Sequence, residues 1–478
     1  MNRQITILKL WIISTALLAA CGSQTNVTTE EASSFETLSK WETAFDRSVL
    51  LEKMETKTQG EILGQEIPVI AIDEKEVYQE MDGFGFTLNG GSAMLIRTKL
   101  SEDRQNNLLE ELFSRKEEAI GINFLRVSIG ASDLDELVYS YADTRGNETD
   151  AELKSFSLAY DTLYLIPVLQ KILEINPEMK IMGSPWSPPA WMKTNQSPIG
   201  GKLKSEFYGS YAEYFVKYVK AMEENGIPIY AVTLQNEPEH PGNNPSMLME
   251  ATEQAEFIKS HLGPAFQRAG ISTKIIIYDH NCDHPGYPIA VLNDKEAYPF
   301  IDGSAFHLYL GEIDAMSEVK KAHPEKNIYF TEQWTSSKGD FGGDLQWHIR
   351  NLIIGASRNW AKTVLEWNLA ADPEQRPFTP DGGCSMCLGA LTISDESVER
   401  NVAYYIIAHA SKFVPSGSKR IGSTDLIQLP NVAFLTPENR KVLVVLNEQT
   451  EAQPLEIQFS GEKTTTQISA KSVATFVW

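Results

Sequence analysis

Between residues 82 and 370 the sequence alternates two rhythms, and this alternation limits the fold more than any other feature. Short apolar or β-branched runs read as buried strands at 82–89, 122–130, 180–187, 230–238, 273–281, 303–309, 327–334 and 362–370. Helical patterns stand between them. In FYGSYAEYFVKYVKAMEENG, residues Tyr211, Tyr214, Phe215 and Tyr218 fall at i, i+3, i+4 and i+7, which is one face of a helix. Strand and helix in repeated alternation predict parallel strands with crossover helices, an α/β arrangement. Eight such units suit a (β/α)8 TIM barrel. An open doubly wound sheet would alternate in the same way, so the rhythm leaves closure open.

On both sides the rhythm changes. From about 415 the chain has short strands separated by turn signals such as Pro437-Glu438-Asn439 and Ser460-Gly461, the pattern of an all-β module. The segment IPVIAIDEKEVYQEMDGFG is strand-like as well. The expected division is a signal segment over 1–20 and a tether and N-terminal extension over 21–65. A sandwich strand over 66–81, the barrel over 82–412 and a β-sandwich over 413–478 follow. The accessory sandwich is thus expected from both chain ends.

The N-terminus reads as an export signal. Arg3 and Lys9 precede an apolar run from Leu10 to Ala20, too short to span a bilayer. The end of that run, LAAC from Leu18 to Cys21, resembles a bacterial lipobox. The resemblance implies cleavage before Cys21, acylation of its sulfur and anchoring to a membrane, with Gly22 and Ser23 resembling cargo for the outer membrane. An ordinary secretory signal with an incidental cysteine is the plainer alternative. Cys384 and Cys387 form a single C-x-x-C. A local disulfide or free thiols rank ahead of zinc, which needs a second pair or nearby histidines. Cys282 reads as a buried unpaired thiol.

Acids outnumber bases by 64 to 42, for a formal charge of -22. That argues against a nucleic-acid partner, since phosphates attract basic surfaces. A neutral partner such as a carbohydrate remains open.

In a barrel, functional groups stand at the C-terminal ends of the strands. By this reading Trp186 follows the third strand, Asn236 and Glu237 the fourth, and His307 and Tyr309 the sixth. Glu332 and Trp334 end the seventh, Trp367 and Asn368 the eighth. Each has a plain alternative: a solvated turn for Glu237, an ion pair for Glu332, core packing for His307 or Trp186. Together they offer two carboxylates, the minimum for glycoside hydrolysis, beside aromatic rings suited to sugar faces. A metal-dependent hydrolase would need clustered ligands, and His280 and His284 form only a weak cluster. A sugar-binding lipoprotein without catalysis is the non-enzyme alternative.

The ordered set GFGFTLNGGSA, FLRVSIGASD, GSPWSPPAWMK, LQNEPEH, AFHLYLG, YFTEQW, VLEWNLAADP and HASKFVPSGSKRI resembles glycoside hydrolase family 30, the glucosylceramidase-like retaining β-glycosidases. The resemblance runs from about 67 to 478. It implies a barrel fused to a β-sandwich, with Glu237 as acid/base and Glu332 as nucleophile. It further implies that Asn236 holds the 2-hydroxyl and that Arg126 lies close to the nucleophile. Trp186, His307, Tyr309, Trp334, Trp367 and Asn368 would line the sugar pocket. One departure stands out: Asn89 and Gly90 replace the Thr-Asp of the usual first-strand motif, whose aspartate grips glucose. This form is similar to bacterial members acting on β-1,6-glucan, which rank before glucosylceramide, with xylan third. The expected mechanism is double displacement, needing no metal or organic cofactor, with carboxyls about 5–5.5 Å apart and a raised pKa at Glu237.

Overall fold

The computed structural model describes residues 35, 38–55, 67–146 and 148–478. Eight parallel strands close into a barrel in chain order. They are Gly83–Thr87, Phe124–Ser128, Lys180–Ser184, Ala231–Thr233, Lys274–Cys282, Ile301–Gly311, Asn327–Glu332 and Ala361–Asn368. The eighth pairs with the first, Thr363 opposite Gly83, which decides closure against the open sheet. The inner wall is tight: a Cβ at Gly85 would lie 1.9 Å from the Phe124 carbonyl, so only glycine lets the first two strands meet there.

Phe124, Met182, Ala231, Ile276, Ala305, Tyr329 and Leu365, one from each of strands two to eight, form a single buried cluster inside the barrel. The interior is therefore a packed core, and a ligand must bind above it at the strands' C-terminal ends. Outside, helices cover the strands with their apolar faces. Helix Tyr208–Glu224 buries Tyr211, Tyr214, Phe215 and Tyr218, the face its sequence spacing selects. No helix among the described residues is long and apolar enough to cross a membrane.

The second module is a nine-stranded sheet that draws on both chain ends. Its strand Lys441–Asn447 is buried throughout because it serves two cores. Val442, Val444 and Leu446 join the large cluster shared with the barrel helices, while Leu443 and Val445 join the sheet's own cluster. The period-2 alternation of a strand makes this division. Strand Val69–Glu80 joins the same sheet.

One boundary differs from the sequence reading. The segment 21–65 was expected to be tether and extension, yet Ser39–Ala44 and Leu50–Met54 form a hairpin on the edge of this sheet. Ser39–Ala44 pairs along its whole length with Ser472–Val477. Only six and five residues long, these strands lacked a strong local pattern; the C-terminal strand supplies their register. Cys21, the signal segment and residues 22–34 lie outside the described residues. Between sheet and barrel lies the fully buried helix Val402–Ser411. Its His409 joins the two chain ends, Nδ1 lying 2.9 Å from Thr475 Oγ1 and Nε2 2.8 Å from Thr43 Oγ1.

Candidate active site

The fourth barrel strand is short, ending at Thr233, and the chain turns sharply four residues later. Glu237 has φ 47°, a left-handed conformation that costs a residue with a Cβ about 1–3 kcal/mol and persists only when the surroundings hold it. They do: Glu237 N donates to Asp279 O and its own carbonyl accepts from His240 N, both at 2.9 Å. The turn aims the carboxyl inward, where it is 7% exposed.

Glu332 ends the seventh strand and is 5% exposed. One oxygen of Glu237, one oxygen of Glu332 and a ring nitrogen of His307 lie within 4.8 Å of one another. Glu332 is gripped on both oxygens. Arg126 Nη1 donates to Oε2 at 2.6 Å and Tyr309 Oη donates to Oε1 at 2.9 Å. Glu237 is held more loosely, by Asn243 Nδ2 at 3.2 Å and by His307 Nδ1 at 3.3 Å.

Under the pair lies a fully buried network. Arg126, from the second strand, donates Nε to Ser184 Oγ, Nη2 to Asn236 Oδ1 and Nη2 to Asp279 Oδ2. Asp279 also accepts from Thr233 and Thr331 and faces His307 Nε2 at 3.1 Å. Each buried charge thus meets an opposite one with hydrogen bonds, the condition for tolerating charge in an interior. Asn236 spends its carbonyl oxygen on Arg126, which leaves its amide NH2 as a donor.

Burial acts against every charge here, and the neighbours decide the outcome. Burial pushes the Asp279 carboxyl up, but the Arg126 cation and His307 hold it well below the usual range. Burial lowers His307, but the Glu332 charge and the bonds to Asp279 and Glu237 raise it to about 9. Burial raises Glu332, only partly offset by His307 and Arg126 and reinforced by the Glu237 charge, so it stands above its ordinary value. Burial also raises Glu237, but its hydrogen bond and charge contact with His307 win and hold it below its ordinary value. The raised pKa expected of Glu237 is therefore not found in the free site, and the protonated His307 is the reason.

The cavity over the pair has a volume of 350 Å³. Trp186, Tyr309, Trp334 and Trp367 line it with both glutamates. Trp186 and Trp367 stack at 5.2 Å, and the Arg126 guanidinium lies 4.8 Å from the Trp186 ring. The buried Trp186 Nε1 has no partner among the described residues. Arg126 and His307 reach the glutamates from beneath, and Asn236 is bonded to Arg126 there. Asn368, expected on the wall, lies behind it. Its Oδ1 accepts from Asn89 Nδ2 and Ser92 Oγ, each at 3.1 Å. The family's sequence pattern marks this asparagine, but strand order alone does not show which way its amide turns.

Several wall residues escape sequence reading. Asp133 lines the cavity, its carboxyl pushed up to about 8 by burial and by the charges of Glu332 and Glu237. It sits in GASD, just past the second strand, and the strand-end rule could have found it. His240 and Asn243 come from the loop after the fourth strand, while Asn281 and Leu310 stand near the C-terminal ends of the fifth and sixth strands. Cys384 and Cys387 are bonded to each other and stand in the same wall, while Cys282 is buried and free. His280 and His284 do not converge; His284 pairs with Glu239 at 2.9 Å. At the departure in the first-strand motif, a Cβ on Gly90 would lie 1.9 Å from Asp135 Oδ1. A carboxylate from the next loop occupies the space that a side chain there would need.

Residues 81–414 match the glycosyl hydrolase family 30 TIM-barrel domain, and 417–476 match the family's β-sandwich domain. The chain is 31% identical over 428 residues to the endo-1,6-β-D-glucanase neg1 of Aspergillus fumigatus, covering 84% of this chain and 85% of that protein. It is 29% identical over 418 residues to the lysosomal acid glucosylceramidase of Mus musculus, covering 81% and 79%. A solved endo-β1,6-glucanase superposes with a TM-score of 0.86 at 31% identity, covering 92% of this chain and 99% of that one.

Proposed function

The chain belongs to glycosyl hydrolase family 30, and we propose that it cleaves β-1,6-linked glucan with Glu332 as nucleophile and Glu237 as acid/base. The spacing of the two carboxyls carries the chemistry. One oxygen of each lies within 4.8 Å of the other, close enough for the two carboxyls of a retaining pair, roughly 5–5.5 Å apart, where an inverting enzyme holds them roughly 6.5–9.5 Å apart to admit water.

Glu332, oriented by Arg126 and Tyr309, attacks the anomeric carbon. A bond forms from its oxygen to that carbon as the glycosidic bond breaks, and the leaving oxygen takes the proton of Glu237. His307 opposes the protonated form in the free site. A bound sugar expels water and strengthens the influence of the Glu332 charge, which favours the acid form in the complex. Once Glu332 is an ester, that charge is gone. Glu237, left ionised by the first step, takes a proton from water as the water oxygen bonds to the anomeric carbon and the bond to Glu332 breaks, so Glu332 is freed as a carboxylate and the β configuration is retained. Asn236, with its free amide, and Asp133, on the wall, are suited to hold hydroxyls.

Support for β-1,6-glucan comes from the named relatives and from the first-strand motif, where Asn89 caps a helix through Ser92 N and Gly90 offers no carboxylate. Glucosylceramide is the second reading, favoured by the match to the mouse enzyme. Digestion of linkage-defined β-glucans and of glucosylceramide, with the product anomer followed by NMR, separates the two. Release of β-configured product from β-1,6-glucan is expected first. Binding without release from either substrate would favour the non-enzyme reading. Glu332→Gln is expected to lower hydrolysis of an aryl β-glucoside by roughly 10⁴-fold or more, as loss of a covalent nucleophile does. Unchanged activity would overturn the assignment.

We further propose export and lipid anchoring to a bacterial outer membrane at Cys21, supported by LAAC after the apolar run. Incorporation of a tagged fatty acid that is lost in Cys21→Ala is the expected result; labelling that persists in the variant would refute it.

A further inference from the structure

Eight large hydrophobic side chains are exposed among the described residues, and three of them meet at one place: Leu137, Tyr160 and Leu163, at 54%, 48% and 57% exposure. They rim a cavity of 110 Å³ beside the barrel mouth. It is a separate cavity from the one over the glutamates, but one loop contributes to both. The loop after the second strand sends Asp133 to the glutamates and Asp135 here, where Gly90 and Gly91 of the helix Gly90–Lys99 also line the cavity.

The chemistry of the lining narrows the occupant. Tyr160 stacks on Tyr139 with ring centroids 4.5 Å apart, and Tyr139 is pinned by its hydroxyl to Asp161 at 2.7 Å. This makes a fixed aromatic platform. Asp135, Glu136 and Asp161 line the cavity, and no lysine, arginine or histidine does. Phosphates, carboxylates and anionic lipid headgroups are repelled by such a lining. Asp135 is 4% exposed. Its Oδ2 accepts from Ser132 N and Oγ, each at 2.7 Å, while its Oδ1 has no hydrogen-bond partner among the described residues. An unpartnered carboxylate oxygen that the cavity reaches, on a side chain 4% exposed and next to an aromatic face, suits a neutral polyol that presents an apolar face and hydroxyl donors together.

We propose that this cavity is a second saccharide-binding site, holding a stretch of the neutral glucan chain outside the cleft that cuts it. The proposal rests on the glucan reading above. A site here ties a polymer to the enzyme while a distant part of the same chain enters the cleft, which raises the local concentration of cleavable bonds.

The test uses Tyr160→Ala combined with Leu163→Ala, both exposed and so harmless to folding, with Tyr160→Phe as the variant that keeps the platform. Retention is measured by electrophoresis through gels containing β-1,6-glucan, in a Glu332→Gln background so that the glucan survives. The double variant is expected to bind about tenfold more weakly, a change easily read on the affinity scale, while Tyr160→Phe is retained like its parent. In the active enzyme, KM for the polymer should rise by about the same factor, with KM for an aryl β-glucoside unchanged. Unchanged retention of the double variant overturns the proposal. So does an equal loss on polymer and aryl glucoside, which would mean a structural effect. An enzyme that opens the aryl glucoside but leaves β-1,6-glucan intact would overturn the substrate proposed above, and retention would still decide this site.

Discussion

His307 is the residue through which the acid and the nucleophile are tuned together. It stands 3.3 Å from Glu237 and 3.7 Å from Glu332, and its positive charge favours the ionised form of both. Removing that charge raises both carboxyls. The acid limb of kcat/KM follows ionisation of the nucleophile and the alkaline limb follows loss of the proton from Glu237. His307→Gln is therefore expected to move both limbs to higher pH, with a lower maximum. A pH profile on an aryl β-glucoside checks this, and limbs that stay in place or move to lower pH would refute the role given to the imidazolium. Glu237 itself was legible as a candidate from LQNEPEH. Its left-handed backbone was not, because that conformation depends on Asp279 and His240 contacts made across the turn.

At the scale of elements, the segment after the eighth strand matters most, because it ties together the loops after the second, fourth and seventh strands. Thr379 N donates to Asp133 O, Asn244 Nδ2 to Pro380 O, and Ser337 N to Met386 O. Cys387–Leu388 pairs with Thr335–Ser336 just beyond Glu332. The Cys384–Cys387 bond closes only a four-residue loop, worth about 2 kcal/mol in the chain-entropy model, so its effect is local. Cys387 packs with Trp186 and Trp367, and Cys384 and Trp334 join that cluster. Cys384→Ser with Cys387→Ser is expected to raise KM for an aryl β-glucoside about fivefold with kcat held, since a looser wall weakens binding more than chemistry. Mild reduction should do the same to the parent and nothing to the variant. Identical kinetics throughout would refute the clasp. The C-x-x-C spacing allowed a disulfide; its place in the sugar cavity follows from the path of the loop.

Taken whole, the molecule is a barrel fastened to a sheet, and His409 sits at the seam. Burial holds its imidazole down at about 3, so it stays neutral between Thr43 and Thr475 while an unfolded chain would protonate it near 6.5. The unfolded state therefore binds more protons between those values. The stabilisation is whole above about 6.5 and is lost as pH falls towards about 3, at most about 5 kcal/mol over the window. Asp133, Asp135 and Asp161, pushed up by burial to about 8, 7 and 6, act in the opposite sense and favour the fold as pH falls. Denaturant titrations of the parent and His409→Gln at pH 7 and pH 4 isolate the histidine: the parent should lose more stability between them than the variant. Equal losses would refute it. The sequence by itself determined the alternation of strand and helix, the two glutamates at strand ends and the sheet module at the C-terminus. These are local matters of period, composition and position. Tertiary structure alone decided that the eighth strand closes on the first and that residues 39–54 form a hairpin in the sheet. It also decided that Asn368 turns away from the cavity, that Asp133 turns into it, and that His307 lowers Glu237. Each of these depends on groups far apart in the chain, and a charge or a hydrogen bond acts through distance in space rather than along the sequence.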